Sequence, residues 1–171
     1  MRWLVSRDIL VCGDSAVSHL SETFAVTKSG QRHAFEYLVN ATGLHPPAIL
    51  AETGLPVSER GELLVDEFLR STGAPDIFGG GDCVRLRDHP LAKIGVYAVR
   101  EAPVLFHNLL ASLEGRALRA FQPQRHFLLI LNLGAGIGLA SWRNFHWLGR
   151  ASFWLKDRID RAFVARYQTL D

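Results

Sequence analysis

The sequence predicts an α/β fold that ends in a β ribbon and a helix. Two apolar runs are typical of buried strands: residues 37–41, which Thr42-Gly43 follows, and residues 76–81, which end in three glycines. Between Leu91 and Leu113, aliphatic residues recur at near three-to-four spacing, as on one face of a helix. Strands followed by a long amphipathic helix are typical of α/β domains.

The second of these runs leads directly into a carboxylate. Asp82 follows Gly79, Gly80 and Gly81, so it lies at the carboxyl end of the predicted strand, where open α/β sheets bind ligands. Glycines leave bare backbone that a bulky group can approach closely. A carboxylate beside such backbone suits a polyol. The alternative is a strand that ends in a glycine turn, with Asp82 as a helix N-cap.

The first third of the chain is predicted to form short strands and turns. Residues 24–27 alternate apolar and polar side chains, and residues 28–31 are a turn signal. Together they predict a hairpin that leads into a buried strand at 35–41. Further along, we expect a short helix at 48–53 and a strand at 62–66.

In the second half of the chain, Pro103 interrupts the long helical pattern. It predicts a kink, or a helix that begins afresh there, and Gly115 is placed to end the helix. Residues 127–133 and 139–147 predict a two-stranded β ribbon joined by a glycine-rich turn. Residues 148–167 predict a terminal helix.

Composition indicates an ordinary globular protein rather than a membrane-spanning or disordered one. Of 171 residues, 48% are hydrophobic and 21% charged. Cys12 and Cys83 lie far apart, without the C-x-x-C spacing of redox or metal sites, and no signal peptide is evident. The seven histidines show no metal-binding spacing. We therefore expect a cytoplasmic protein without a metal site.

Charge is distributed unevenly. Residues 1–115 carry 10 Lys and Arg against 14 Asp and Glu, whereas residues 116–171 carry 9 against 3. A basic C-terminal part predicts an anionic partner, which could be a membrane surface, a nucleotide phosphate or the acidic part itself. Nucleic acid is not expected, because no recognition motif accompanies the charge.

The order of the motifs resembles a known family of redox enzymes. Ala41-Thr42-Gly43, a GL-x-V…RG-x-L-x-VD…L-x-S pattern over 54–71, P-x-IF at 75–78 and Gly81-Asp82 follow one another. This order resembles the latter half of the FAD- and NAD(P)H-dependent oxidoreductases of the pyridine nucleotide-disulfide type, which contain two dinucleotide-binding domains. K-x-GVYAVR-x-x-PVL at 93–105 resembles the branch of NADH-dehydrogenase-like proteins, including the form fused to selenide, water dikinase.

The resemblance implies a set of flavin-binding residues. In this family the aspartate of the Gly-Asp motif binds the flavin ribitol, which assigns that role to Asp82 and the close approach to Gly81. The next helix begins beside the isoalloxazine ring, so its first N–H groups, those of Gly95 and Val96, would face the pyrimidine edge. A helix N-terminus there stabilises the negative charge of reduced flavin. Tyr97 would face the ring or the electron acceptor; the alternative is a tyrosine of the core.

The resemblance also implies how the chain is organised. It identifies residues 1–36 as the end of an NAD(P)H-binding domain, 37–115 as the C-terminal half of a doubly wound, Rossmann-like FAD-binding domain, and 116–171 as an appended module. No G-x-G-x-x-G motif opens a helix, since the glycines at 134–138 precede strand-like residues. We therefore expect the chain to be part of a longer enzyme, whose N-terminal nucleotide-binding half is missing.

The implied reaction is hydride transfer from NAD(P)H to FAD and then to an acceptor such as a quinone. No catalytic side chain is predicted, and the chain alone is expected to be inactive. Val96 stands where quinone-reducing members often carry glutamine, which leaves the acceptor open. Two alternatives remain: a flavin-free interaction or membrane-associating domain, and a fragment of an FAD-dependent monooxygenase.

The terminal helix allows two interpretations. Its apolar side chains recur every four residues, at Leu155, Ile159, Phe163 and Tyr167. One interpretation is a peripheral contact with the inner face of the membrane. The other is packing on its own domain, which is favoured because Asp157 and Asp160 interrupt the basic surface.

Overall fold

The computed structural model describes residues 2–168, with side chains from Leu4 onward. Met1 and residues 169–171, the outermost residues of the predicted 1–36 and 116–171 modules, lie outside the described part. The chain forms two compact units, residues 1–43 and 44–171. Both helices and strands are present, in keeping with the predicted α/β class.

The first unit contains a short helix, α1 (Arg2–Val5), and a three-stranded antiparallel sheet. Its strands are β1 (Val17–Leu20), β2 (Phe24–Thr27) and β3 (Arg32–Ala34), in that order. Ala25 and Thr27 of the central strand are buried, and the guanidinium of Arg32 lies 3.5 Å from the centre of the Phe24 ring. The predicted hairpin is therefore confirmed.

The predicted buried strand at 35–41 is wrong. Tyr37 and Val39 are 91% and 90% exposed, and no strand among residues 2–168 pairs with this segment. An apolar run forms a buried strand only where neighbouring strands satisfy its N–H and C=O groups. The described part of the chain offers no such neighbour here.

The second unit is built around a parallel pair of strands. After the short helix α2 (Ile49–Glu52), β4 (Leu63–Val65) pairs with β5 (Val84–Leu86), so that Leu63 lies opposite Val84. The predicted helix near 48–53 and strand near 62–66 are confirmed. The core of this unit consists of the buried side chains of Leu63, Val65, Leu69, Val84, Leu86, Val104 and Phe121.

The predicted strand at 76–81 is reduced to an extended segment. It makes one isolated bridge, between Phe78 and Arg70, and Ile77 remains 40% exposed. Asp82 therefore lies in a 3₁₀ turn, Gly81–Cys83, that leads into β5, not at the end of a regular strand. The strand that pairs with β4 is β5 instead, because Val84 and Leu86, at alternate positions of β5, face the core.

A single long helix, α3 (Gly95–Leu113), follows β5 and continues through Pro103. The alternative in which a helix begins afresh at Pro103 is therefore wrong. Gly115, at φ +65°, ends the helix as predicted. The Arg116 N–H donates to the Ala111 carbonyl at 2.8 Å, which is the capping bond expected for a left-handed glycine after a helix.

The C-terminal part of this unit contains three antiparallel strands instead of the predicted two. They are β6 (Leu129–Asn132), β7 (Gly138–Trp142) and β8 (Phe145–Gly149). The 139–147 run divides into two strands because the chain turns at Arg143, which has φ +53°. Arginine is not a residue type that predicts such a turn. The last helix, α4 (Arg150–Ala165), confirms the predicted terminal helix and packs against this sheet.

Packing between α4 and the sheet depends on one glycine. A side chain at Gly138 of β7 would place its first carbon 2.6 Å from the backbone nitrogen of Phe153. Ser152 is fully buried there, and its hydroxyl donates to the Trp147 carbonyl at 3.2 Å.

Within residues 2–168, none of the helices combines the length and hydropathy that a membrane crossing requires.

Candidate functional site

The Gly-Asp turn lies directly against α3. Gly81 adopts φ +77°, a left-handed conformation that favours glycine. A first side-chain carbon at Gly80 would lie 3.3 Å from Leu105 Cδ2, and one at Gly79 would lie 2.7 Å from Val84 Cγ1. The need for glycine at positions 79 and 80 therefore comes from packing within the protein.

A carboxyl group of α3 holds this turn. Glu101, in the second turn of the helix, is 4% exposed, and its Oε2 accepts the Gly81 N–H at 2.5 Å. Burial raises the pKa of Glu101, as does the charge of Asp82, whereas the Gly81 N–H and the charge of Lys93 act in the opposite direction. Sequence reasoning missed this residue, although a carboxylate on the buried face of a helix was a visible signal.

A second buried carboxylate lies nearby on the strand side. Glu62 is 3% exposed, and it accepts a hydrogen bond from Ser58 Oγ at 2.7 Å and pairs with Lys93 Nζ at 3.0 Å. Burial alone would raise the pKa of Glu62. The hydrogen bonds from Ser58 and Lys93 and the charges of Lys93 and Arg85 outweigh it and hold that pKa below its usual value. This network fixes the segment that leads into α3, because Lys93 also donates to the Val84 carbonyl.

Three of the five predicted site residues surround one small cavity. Gly81, Asp82 and Tyr97 line it, together with Lys93 and Glu101. Its volume of about 20 Å³ is enough for one water molecule and much too small for a flavin. A cofactor bound by Asp82 would therefore lie on the outer side of the turn, where Asp82 is partly exposed.

The start of α3 is open in the way that a bound ligand requires. No side chain caps the helix at Ile94, and the first turn carries no acidic residue. Gly95 is exposed, and a side-chain carbon there would meet nothing within 4 Å. The Tyr97 N–H donates to the Ile94 carbonyl at 2.9 Å. The first N–H groups of a helix, here those of Gly95 and Val96, have no partners within the helix and carry partial positive charge. The residues present therefore fit an electron-rich group at this point.

Val96 and Tyr97 make further contacts outside the small cavity. Val96 lines a separate groove of about 470 Å³, described below. Tyr97 donates through its hydroxyl to the Gln124 carbonyl at 3.3 Å, and its ring meets Phe127 edge-on at 6.0 Å between centres. These contacts favour the alternative in which Tyr97 is a tyrosine of the core.

The groove beside Val96 is lined largely by apolar side chains from α3, the C-terminal sheet and α4. They include Ile94, Val96, Phe127, Leu129, Ile130, Trp142 and Ile159. Arg100, Lys156 and Asp160 also line it. The groove thus offers an apolar wall with a few polar groups at its edge, adjacent to the first turn of α3.

The terminal helix packs over only part of its length. Ser152 is buried and residues 155–157 are half-buried, but every described residue from Arg158 onward is exposed. The exposed part carries Ile159, Phe163 and Tyr167, with the Phe163 and Tyr167 rings 5.0 Å apart. Packing on its own domain therefore accounts for the first half of α4, whereas Ile159, Phe163 and Tyr167 of the second half stay 46%, 39% and 57% exposed.

Comparison with known proteins identifies the family. A profile of the family described as "Pyridine nucleotide-disulphide oxidoreductase" matches residues 10–104. Ferroptosis suppressor protein 1 of Xenopus laevis is 29% identical over 97 residues, which are 57% of this chain and 25% of that protein. The protein of the same name from Taeniopygia guttata is 28% identical over 127 residues, 72% of this chain and 32% of that protein. The chain thus spans no more than a third of the length of these relatives.

Solved structures show the same fold. A NAD-dependent persulfide reductase from A. fulgidus superposes with a TM-score of 0.58 at 26% identity, over 82% of this chain and 26% of that one. LpdA from Mycobacterium tuberculosis superposes with a TM-score of 0.55 at 16% identity, over 81% and 29%. Since the family profile spans more than half of the sequence, the chain belongs to the pyridine nucleotide-disulphide oxidoreductase family, whose members use FAD and NAD(P)H, as its motifs predicted.

Proposed function

We propose that this chain supplies part of the flavin-binding domain of an NADH-dehydrogenase-like enzyme. The complete enzyme would transfer a hydride from NAD(P)H to FAD and pass the electrons to a second acceptor. The observation that supports this most is the packing of the Gly81-Asp82 turn against the first two turns of α3, whose N-terminus is open. A carboxylate and an uncapped helix start are then available to one ligand.

Each part of this arrangement has a distinct task in the proposal. The Asp82 carboxylate accepts hydrogen bonds from ribitol hydroxyls, while Gly81 lets the cofactor approach. The N–H groups of Gly95 and Val96 face the pyrimidine edge, where the helix N-terminus favours negative charge. The flavin supplies the redox chemistry, and the side chains named here bind and orient it.

The rest of the cofactor cradle belongs to another part of the enzyme in this proposal. The chain spans about a quarter to a third of its relatives. Its sequence contains no G-x-G-x-x-G loop that opens a helix, and such loops bind the phosphates of FAD and NAD(P)H. We assign those loops to an N-terminal nucleotide-binding half. In this arrangement residues 1–36, 37–115 and 116–171 remain the three modules.

The apolar groove next to Val96 is the proposed place for the electron acceptor. Its position beside the first turn of α3 brings it close to where the flavin ring would lie. A groove of about 470 Å³ with apolar walls and a few polar edges suits a flat apolar acceptor such as a quinone. Steady NAD(P)H oxidation with a soluble quinone would support this acceptor. Oxygen-dependent NAD(P)H consumption stimulated by an organic substrate would favour a monooxygenase instead.

The second half of α4 is the proposed site of peripheral membrane contact. It exposes Ile159, Phe163 and Tyr167 next to cationic side chains, which is typical of a helix that lies in the membrane interface. Co-sedimentation with vesicles containing anionic lipid tests this contact. Phe163→Glu should reduce binding, while Leu113→Glu, which adds the same charge at an exposed position outside α4, should leave it unaltered. Equal binding by both variants would contradict the proposal.

The decisive experiment is to measure flavin binding by the full-length protein. Asp82→Ala should weaken FAD binding about 10- to 100-fold, because it removes a charged hydrogen-bond acceptor. Asp76→Ala is the matched control, since Asp76 is an exposed aspartate just upstream of the turn. Wild-type protein that is colourless and binds no FAD would instead indicate a flavin-free interaction domain. Unchanged affinity in Asp82→Ala would refute the ribitol assignment.

A further inference from the structure

Glu101 is a buried carboxyl group to which the proposed flavin site assigns no role. It is 4% exposed, and burial of a carboxyl group is unfavourable unless hydrogen bonds compensate. Its described hydrogen bond is to the Gly81 N–H, at 2.5 Å. The Glu101 side chain therefore joins α3 to the residue that precedes Asp82.

This hydrogen bond fixes the orientation of the turn. Gly81 lies in the left-handed region, at φ +77°, and its N–H belongs to the peptide group that links it to Gly80. Glycine reaches many backbone conformations at similar energy, so a turn at glycine keeps one geometry only where its surroundings hold it. Without an acceptor at Glu101, the peptide group could rotate and Asp82 would turn with it.

Charged and polar groups from the surrounding elements face Glu101 or line the same cavity. Asp82 comes from the turn, Lys93 from the segment before α3, Arg85 from β5 and Tyr97 from α3 itself. Asp82 and Lys93 have opposite electrostatic effects on Glu101. The Glu101 carboxyl is thus held among fixed groups, and its oxygen has a defined direction toward Gly81.

We propose that Glu101 is the positioning residue of the Gly81-Asp82 turn, which it holds so that Asp82 faces the flavin ribitol. This role rests on the proposed function, since it acts through Asp82 on a bound cofactor. It requires an acceptor oxygen at this position and not a negative charge as such. Glutamine therefore preserves the interaction, whereas leucine has a similar size and removes it.

FAD affinity of the full-length protein, measured by fluorescence titration, tests the role. Glu101→Leu should bind FAD at least about 10-fold more weakly than wild type, while Glu101→Gln should remain within about twofold. Val104→Ala is the matched control, because it removes part of a buried side chain one turn further along α3 without touching Gly81. It should lower thermal stability and leave FAD affinity unchanged.

A double variant separates positioning from general stability. If Glu101 acts through Asp82, Glu101→Leu in an Asp82→Ala background should weaken FAD binding by no more than about twofold further. A second full loss of affinity in that background would overturn the proposal, as would wild-type affinity in Glu101→Leu alone. Wild-type protein that binds no FAD would overturn the proposed function and this role together.

The Gly81 amide proton provides a readout that does not depend on flavin. In wild type its NMR resonance should shift as Glu101 titrates, at a pH above that of an exposed glutamate, because burial raises the pKa of Glu101. In Glu101→Gln the resonance should no longer follow this titration. A Gly81 resonance that behaves identically in the two proteins would show that the contact is absent in solution.

Discussion

Replacement of Asn108 by leucine should cause a large loss of stability. Asn108 is fully buried on α3 and makes three hydrogen bonds to the backbone of two other segments. Its Nδ2 donates to the carbonyls of Phe68 and Arg119 at 2.7 and 2.9 Å, and its Oδ1 accepts the Arg119 N–H at 2.7 Å. One amide group thus holds both segments against the helix.

The expected magnitude follows from these three bonds. Each contributes a net stabilisation of about 1 kcal/mol, and a buried backbone group left without a partner costs about 1–3 kcal/mol. Leucine is similar in size and apolar, so it fills the space but makes no hydrogen bond to the backbone of Phe68 or Arg119. We expect the free energy of unfolding to fall by about 3–5 kcal/mol, a large part of the stability of a typical domain.

Urea unfolding of the full chain, followed by circular dichroism, measures this change. The midpoint should move to lower urea while the slope stays constant, which indicates altered stability without altered unfolded-state compactness. Ser112→Leu, an exposed change on the same helix, is the control and should alter stability by less than about 0.5 kcal/mol. A loss below about 1 kcal/mol in Asn108→Leu would refute the reasoning, because the three bonds would then contribute almost nothing.

Three further changes test other parts of the structure. Gly138→Ala should lower the melting temperature, because its new carbon would lie 2.6 Å from the α4 backbone. The control Gly13→Ala should be neutral, because its new carbon would meet nothing within 4 Å. Equal melting temperatures of the two variants would contradict this packing. Leu69→Gly should be at least as stable in urea as Leu69→Ala, which is the reverse of the usual order. Position 69 has φ +61°, a left-handed conformation that glycine adopts more easily than alanine. A glycine variant less stable than the alanine variant would argue against that conformation. Glu62→Gln should lower the free energy of unfolding most near neutral pH. Because the pKa of Glu62 is lowered in the folded protein, its carboxylate stabilises the fold at pH values above the ordinary carboxyl pKa. This stabilisation is lost as the pH falls through the lowered pKa. Urea titrations should therefore show the difference from wild type shrinking in acid, and a difference independent of pH would contradict the ion pair.

Local signals account for the elements that were predicted correctly. The hairpin from Phe24 to Ala34 follows from alternation around a turn, and the end of α3 follows from Gly115. Both depend on residues only a few positions apart. The start of α3 at Gly95 follows from the family resemblance, since the apolar spacing alone begins at Leu91, and Asp82 lies in a 3₁₀ turn where the sequence predicted the end of a strand.

Elements that depend on distant partners were missed. The three residues of β5, Val84–Leu86, become a strand because β4 lies beside them, and a run that short has no distinctive pattern of its own. Residues 37–41 fail for the converse reason, since their pattern is that of a strand but no neighbour pairs with them among residues 2–168. Glu101 was missed because its role depends on a contact with a residue 20 positions away.

The exposed side chains of the 37–41 run should favour self-association. Tyr37, Leu38 and Val39 combine high β-propensity with apolar surface, and they carry no charge. The run pairs with no strand among residues 2–168, so its N–H and C=O groups can pair with a strand of a second molecule. Concentrated solutions should accordingly oligomerise through this run unless another surface shields it. Val39→Lys should keep the preparation monodisperse, since a cation at such an edge opposes intermolecular pairing.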